Sequence, residues 1–294
     1  MAKDFTQGWI LPAVRMALET TAVVFPPACR YLALRIFSSP RKGRLSPGHA
    51  HWLDEAKLPP LRINGYPTQL YHWPGPGPRV LLLHGWESNS ARWEGLWLQL
   101  RAAGFDLMAI DAPAHGYSGG DRFTAVRYAG GLAEALDQYA PRAIVGHSAG
   151  AMAALYCLAN LRPEYAPDKL VLIGMPAGLD GLLQAYQRIL GVSDRVMRRL
   201  NEAAERRYGF PLPAFLMPPL AARIHAPGLI IHDHDDELAP LAEARAVHQA
   251  WAGSRLMVSR GLGHSTQSPE VWQWVTAFLQ ETVSGAPTMA PKNR

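Results

Sequence analysis

The sequence predicts an α/β fold, a largely parallel sheet covered by helices on both faces, and three observations carry that prediction. From Val80 onward, short apolar runs of strand length alternate with helix-periodic stretches, the pattern of strands joined by helical crossovers. Gly146-His147-Ser148-Ala149-Gly150 stands between one such run, Ala143-Ile144-Val145, and the Ala-rich helix pattern that starts at Ala151. Two later runs end in chemistry-bearing loops, His232 to Pro240 and Gly261-Leu262-Gly263-His264. With 294 residues, 48% of them hydrophobic, the chain has material for one large α/β domain or two small ones, and disorder is excluded for most of its length.

The elements follow in order. Residues 9–37 hold two apolar helical stripes, Ile10, Val14, Ala17 and Leu18, then Cys29, Leu32, Ala33, Ile36 and Phe37, parted by Pro26-Pro27. They read as a helical layer packed on the domain. The other reading is a membrane-surface helix aided by Arg41, Lys42 and Arg44, so peripheral membrane contact through residues 9–44 stays open. Leu61 to Gly65 and Gln69 to Trp73, around an Asn-Gly turn signal, predict an antiparallel hairpin. Val80–Leu83 is a buried strand ending at His84-Gly85. A helix capped by Ser88 or Ser90 carries Trp93, Leu96, Trp97 and Leu100 and stops at Gly104. Asp106–Ile110 is the next strand, and Thr124 is placed to cap a helix running to about Tyr139. Strands follow at 143–147, 170–174, 229–231 and 256–258; Ser268-Pro269-Glu270 opens a last helix whose apolar stripe is Val271, Trp274, Val275 and Phe278.

Between the strands at 170–174 and 229–231 lies a segment far longer than a usual connection. It carries helical stripes (Leu182, Tyr186, Ile189, Leu190; Val196, Met197, Leu200) and an apolar, proline-rich stretch from Phe210 to Leu220. Insertions of this length are commonly lids. The domain organisation expected is a helical extension at 1–58, a core at 59–175 and 228–283, a helical cap at 176–227 and a flexible tail at 284–294.

A formal net charge of +5 and a pI near 9.3 are mild and locally clustered, so no nucleic-acid partner is expected. Cys29 and Cys157 cannot build a disulfide framework, and Cys157 reads as a small core residue. The N-terminus lacks a clean apolar h-region and a small-residue cleavage site, and no run of about eighteen charge-free apolar residues occurs, so the cytoplasm is the expected location.

Ser148 reads as a nucleophile, because a serine on a sharp strand-to-helix turn projects its hydroxyl from the sheet, and such a turn tolerates only small residues two positions away. A serine needs a base and the base an orienting acid. His264 fits the base, since two glycines shape its loop directly after a strand. Asp236 fits the acid, with Asp235 and Asp233 as alternatives, because His232-Asp233-His234-Asp235-Asp236-Glu237 offers four carboxylates in five positions. Backbone N–H groups of Ala149 and Trp86 are the expected oxyanion donors. His84, which also braces the oxyanion loop, His147, Met175 and Phe215 are the expected pocket residues. The run His232-x-His234-x-Asp236 mimics a binuclear metal-ligand pattern, but Glu237 stands where a further histidine is often needed. No metal or cofactor is therefore expected.

Five ordered motifs resemble the α/β-hydrolase superfamily over about residues 60–280: His84-Gly85-Trp86, Asp111 to Gly119, Gly146 to Gly150, His232 to Pro240 and Gly263-His264. The resemblance implies an eight-stranded, mostly parallel sheet, a Ser-Asp-His triad, an oxyanion hole of two backbone amides and a helical cap before the acid. Ala114 and Asp233 stand where many members have glycine. Serine as nucleophile argues against the dehalogenase and epoxide-hydrolase branches. The function expected is cleavage of an ester or thioester of a small, largely apolar acyl group. A non-catalytic interaction module and amide, lactone or C–C hydrolysis are the alternatives. The basic insertion (Arg188, Arg195, Arg198, Arg199, Arg206, Arg207) reads as a solvated face, with an anionic substrate such as a coenzyme-A thioester as the alternative.

Overall fold

The structure, a computed structural model, describes residues 10–41, 43, 45, 51–63 and 65–282. The expected tail at 284–294, Asn64 of the turn signal, and Lys42 and Arg44 of the basic run lie outside the described residues.

The chain begins with α1 (Ile10–Val24) and α2 (Pro26–Ser38), whose first turn takes both prolines where no intrahelical N–H is needed. After the short α3 (His51–Asp54), β1 (Leu61–Ile63) pairs antiparallel with β2 (Tyr66–Thr68). The expected hairpin partner was Gln69 to Trp73, and the structure corrects this. Those residues form β3 (Leu70–Trp73), which leaves the hairpin at Gln69 and runs antiparallel beside β5 (Asp106–Ile110). No glycine, proline or asparagine marks a break between Thr68 and Leu70, so the sequence does not show where the chain changes sheets.

The main sheet comprises β3, β5, β4 (Arg79–Leu83), β6 (Ala143–His147), β7 (Lys169–Ile173), β8 (Gly228–Asp233) and β9 (Ser254–Ser259), in that spatial order. All neighbours are parallel except β3–β5. Among the described residues this sheet has seven strands, with β1 and β2 forming a separate two-stranded sheet, where the resemblance implied eight strands in one.

Crossover helices cover both faces. On one side lie α5 (Ala125–Tyr139), α6 (Ala149–Tyr156), α9 (Met217–Ala221) and α10 (Leu241–Ala250). On the other, α4 (Glu94–Ala102) and α11 (Pro269–Gln280) pack Leu96, Leu100, Val271 and Val275 onto Val80, Leu82, Val145 and Ile231. Thr124 caps α5 by accepting from Arg127 N at 3.1 Å, and Ser268 caps α11 by accepting from Val271 N at 3.2 Å, both at the expected positions. At the entry to α4 the cap is neither Ser88 nor Ser90. Asn89 accepts from Ala91 N at 3.0 Å, and Ser90 turns inward to bond Asp111 at 2.7 Å.

The insertion holds α7 (Asp180–Leu190) and α8 (Asp194–Tyr208). The N-terminal helices pack on these rather than on the sheet. Leu18, Ala22, Cys29 and Ala33 share an apolar cluster with Leu183, Leu190, Val196 and Leu200. Tyr186 hydroxyl donates to Ala33 O at 3.2 Å, Glu19 accepts from Ser193 N at 2.6 Å, and Arg30 pairs with Glu202 at 3.2 Å.

Candidate active site

Two central strands bring the first parts together. Leu83 of β4 pairs with Gly146 of β6, so the loop after β4 and the turn after β6 leave the sheet side by side. The strand order reverses here, β5 lying beyond β4 and β7 beyond β6, which is where α/β sheets open a crevice at their carboxyl edge. At the turn, Ser148 has φ 51° and ψ −118°, a strained conformation for a residue with a side chain. The flanking glycines are required sterically: a Cβ at Gly146 would stand 2.7 Å from Ala151 Cα, and one at Gly150 would stand 2.4 Å from Leu83 O.

The last two strands bring the rest. Asp233 and Ser259, at the ends of β8 and β9, are register partners, so the loops 234–240 and 260–266 lie together. His264 Nε2 stands 2.8 Å from Ser148 Oγ, and its Nδ1 stands 2.8 Å from Asp236 Oδ2. The geometry assigns Nδ1–H as donor to the carboxylate and leaves the Nε2 lone pair for the serine hydroxyl. Asp236 Oδ1 accepts from Leu238 N at 2.9 Å and Ala239 N at 3.0 Å. Burial pushes the Asp236 carboxyl up, but hydrogen bonds from His264 and Ala239 outweigh it and hold the carboxyl below its ordinary value. Ser148 is 7% exposed and the His264 side chain 24%.

The alternative acids have other partners. Asp233 accepts from Ser259 Oγ at 2.7 Å, Gly263 N at 3.0 Å, Asp235 N at 3.0 Å and Leu262 N at 3.2 Å, tying the acid loop to the histidine loop. Asp235 accepts from Gly261 N at 2.9 Å and contacts His234 at 2.8 Å. Of the His232-x-His234-x-Asp236 run, His232 Nε2 donates to Ala239 O at 2.6 Å and lies 3.5 Å from Asp236 Oδ2, whereas His234 turns away to Asp235. No group of three or more potential metal-ligating side chains gathers among the described residues.

Ala149 is the first residue of α6, in the turn whose N–H groups have no acceptor within the helix, and Ser148 does not cap it. The loop that carries Trp86 passes against the nucleophile, since a Cβ at Gly85 would stand 3.1 Å from Ser148 Cβ. Both N–H groups therefore belong to backbone segments bordering the serine.

The four expected pocket residues are all buried. Hydrogen bonding occupies both nitrogens of the His84 and His147 rings, so each of them braces a neighbouring loop. His84 Nδ1 donates to Gly85 O at 2.7 Å and its Nε2 accepts from Ala112 N at 2.9 Å, and burial pushes its pKa down to about 3. His147 Nε2 donates to His264 O at 2.9 Å, and its Nδ1 accepts from Arg92 at 2.7 Å. Burial, reinforced by the Arg92 charge, holds His147 neutral. Met175 and Phe215 join the apolar cluster that includes Ala149, and the Phe215 ring lies 5.6 Å from Tyr156 and 5.7 Å from Phe210.

Two supporting groups have roles that the sequence reading did not assign, although Asp111 stands in one of its motifs. Arg92, otherwise one polar residue in a helical stripe, bonds Ser265 O (3.0 Å) directly and His264 O through His147, and so holds the backbone just after His264. Asp111, fully buried, accepts from Ser90, from Tyr71 hydroxyl at 2.7 Å and from Tyr117 N at 2.9 Å. Gly116 has to lack a side chain here, as its Cβ would stand 1.9 Å from Asp111 Oδ2. Ala114 in the same loop holds φ 66°.

Residues 80–280 match the Alpha/beta hydrolase family. A monoacylglycerol lipase of Mycolicibacterium smegmatis is 29% identical over 258 residues, covering 70% of this chain and 91% of the lipase. Among solved structures, an esterase from Exiguobacterium antarcticum aligns with TM-score 0.57 and 20% identity over 75% of this chain and 97% of its own. The enol-lactonase of Burkholderia xenovorans aligns with TM-score 0.56 and 19% identity over 76% of this chain and all of its own, 100%.

Proposed function

The chain belongs to the Alpha/beta hydrolase family, and on that premise we propose that it is a serine hydrolase cleaving an ester or thioester of a small, largely apolar acyl group through an acyl-Ser148 intermediate. The observation that carries this reading is the hydrogen-bonded run from Asp236 through His264 to Ser148, with 2.8 Å at each link. His264 Nε2 takes the hydroxyl proton as Ser148 Oγ attacks the carbonyl carbon. The oxyanion draws on the N–H groups of Ala149 and Trp86, each donor of this kind contributing about 3 kcal/mol to the transition state. Collapse breaks the bond to the alkoxide or thiolate, which receives the proton from His264. Water, deprotonated by the same nitrogen, then releases the acid and restores Ser148. Asp236 keeps the Nδ1–H tautomer throughout and steadies the imidazolium.

Residues 176–227 act as the cap, and the aromatic group of Tyr156, Phe210 and Phe215 supports an apolar acyl site beneath it. Similarity to a monoacylglycerol lipase supports acyl-ester chemistry. Ser148→Ala is expected to abolish turnover of p-nitrophenyl butyrate, by at least about 10⁴-fold, and labelling by a fluorophosphonate, while the circular dichroism spectrum stays unchanged. Retained turnover would overturn the mechanism.

Peripheral membrane contact through residues 9–44 is a second reading, favoured by an exposed apolar ridge at the α1–α2 corner that includes Val24 at 76% and Phe25 at 60% exposure. No helix among the described residues is long and apolar enough to cross a membrane. Flotation with anionic vesicles is expected to carry the protein upward, and Val24→Asp with Phe25→Asp to leave it at the bottom. Wild type that stays at the bottom ends this reading.

A further inference from the structure

A cavity of about 190 Å³ lies away from the three residues of the proposed triad, none of which lines it. Three of its walls are arginines from distant parts of the chain: Arg122 before α5, Arg127 in the first turn of α5, and Arg207 at the end of α8. Their charge is poorly matched by acids. Asp121 is the single carboxylate in the lining, and it is shared with Arg35 at 3.3 Å, while its contact with Arg122 is 3.9 Å. Arg127 lies over the Tyr66 ring at 5.2 Å and donates to Arg122 O at 3.3 Å, with no carboxylate partner among the described residues. Arg207 has none either. Tyr66 and Tyr208 add hydroxyl groups to the lining, whereas the Ser38 hydroxyl already donates to Leu34 O at 2.7 Å.

A concave site with three guanidinium groups and two tyrosine hydroxyls suits a tetrahedral oxyanion, since guanidinium forks match phosphate oxygens. Two chains of aromatic contacts run from the neighbourhood of the cavity toward the proposed active site. Phe123, next to Arg122, lies 5.2 Å from the ring of Trp86. Tyr208 leads through Phe210, at 6.4 Å, to Phe215. We infer that this cavity is a phosphate subsite, holding the phosphorylated end of the leaving group while the acyl carbonyl lies at Ser148. The inference rests on the proposed hydrolase reading and narrows its substrate class to esters or thioesters whose alcohol or thiol part carries a phosphate. It also gives the N-terminal helices a part in recognition, because Leu34 and Ser38 of α2 close one wall.

The same chemistry reaches a cell as a soluble phosphate-bearing thiol or as a lysophospholipid, and paired substrates separate the two. Butyryl-coenzyme A is compared with the neutral butyryl-N-acetylcysteamine thioester, and a short-chain lysophosphatidate with the monoacylglycerol of equal chain length. Wild type is expected to prefer the phosphate-bearing member of at least one pair by tenfold or more in kcat/KM. That preference is expected to fall at least tenfold in Arg122→Gln with Arg207→Gln, chiefly through KM, and to be largely kept in Arg207→Lys. Titration calorimetry of the Ser148→Ala protein with inorganic pyrophosphate reads the subsite without turnover, and binding there is expected to vanish on adding the two glutamine substitutions. Equal kcat/KM within both pairs overturns the inference, as does pyrophosphate binding that ignores the arginines. If no ester or thioester is hydrolysed yet arginine-dependent pyrophosphate binding is present, the hydrolase reading fails and the anion site stands.

Discussion

The rim of the sheet and the helical layer of α1, α2, α7 and α8 are held by opposite means. At the rim, buried carboxylates do the fixing: Asp111, Asp233 and Asp236 each collect hydrogen bonds from loop N–H or hydroxyl groups, and neutral His84 and His147 lock neighbouring loops. In the layer, an apolar cluster built around Leu18, Cys29, Leu190 and Leu200 supplies most of the contact, with few polar ties. Directional bonds hold a side chain to a fraction of an ångström, which the proposed proton transfer between Ser148 and His264 demands. Apolar packing sets volume but little orientation. The difference teaches where each kind of substitution registers, in rate at the rim and in stability in the layer.

The largest effect expected from that contrast is at Asp236. Asp236→Asn keeps the shape of the side chain but offers an amide to His264 Nδ1, favouring the wrong tautomer, and kcat is expected to fall about 10⁴-fold with little change in the melting midpoint. Stopped-flow hydrolysis of p-nitrophenyl butyrate checks it. A fall of less than tenfold would assign the acid elsewhere in 233–236.

In the layer, Leu200→Ala empties a fully buried site between α8 and the N-terminal helices. The expected loss is about 3 kcal/mol, within the range found for buried leucines. Amide hydrogen exchange is expected to rise throughout 10–38 and 180–208 and to stay unchanged in β6 and β7. Uniform acceleration across the sheet would mean that layer and core open as one unit, and the contrast between them would dissolve.

What was legible in the sequence follows the same division. The nearness of Ser148 and His264 could be read because the backbone around them is encoded locally: glycines where a Cβ collides with Ala151 or Leu83 O, and glycines on both sides of Leu262 soon after a strand. Strands buried on both faces, such as β6 and β7, are continuous apolar runs and were placed within one residue. The choice among Asp233, Asp235 and Asp236 was not legible, since it depends on the register of β8 against β9. Arg92 escaped because nothing in its neighbourhood signals that its guanidinium is turned inward to a histidine 55 positions away. The packing partner of the N-terminal helices and the arginines of the cavity were hidden for the same reason, being joined only by the tertiary fold.

The smallest effect, and the one that sharpens the contrast most, concerns Asp233. Its four hydrogen bonds come from both loops, so Asp233→Asn turns an acceptor toward one or more donors into a donor and costs about 2 kcal/mol at neutral pH. Burial raises the carboxyl's pKa, but the bonds from Ser259, Asp235, Leu262 and Gly263 outweigh it, and the folded value lies below the ordinary 3.8. A depressed folded value means that the unfolded chain binds the proton first as pH falls. The contribution is therefore complete above the ordinary carboxylate range and is lost as pH drops through the folded value. The deficit of Asp233→Asn against wild type, measured by urea midpoints, is expected to hold between pH 7 and 5 and to shrink toward pH 3. Leu200→Ala removes no ionisable group, so its deficit is expected to stay level over the same range. If the two deficits ran parallel, charge-assisted bonding would not be what distinguishes the rim, and His264 would owe its position to packing instead.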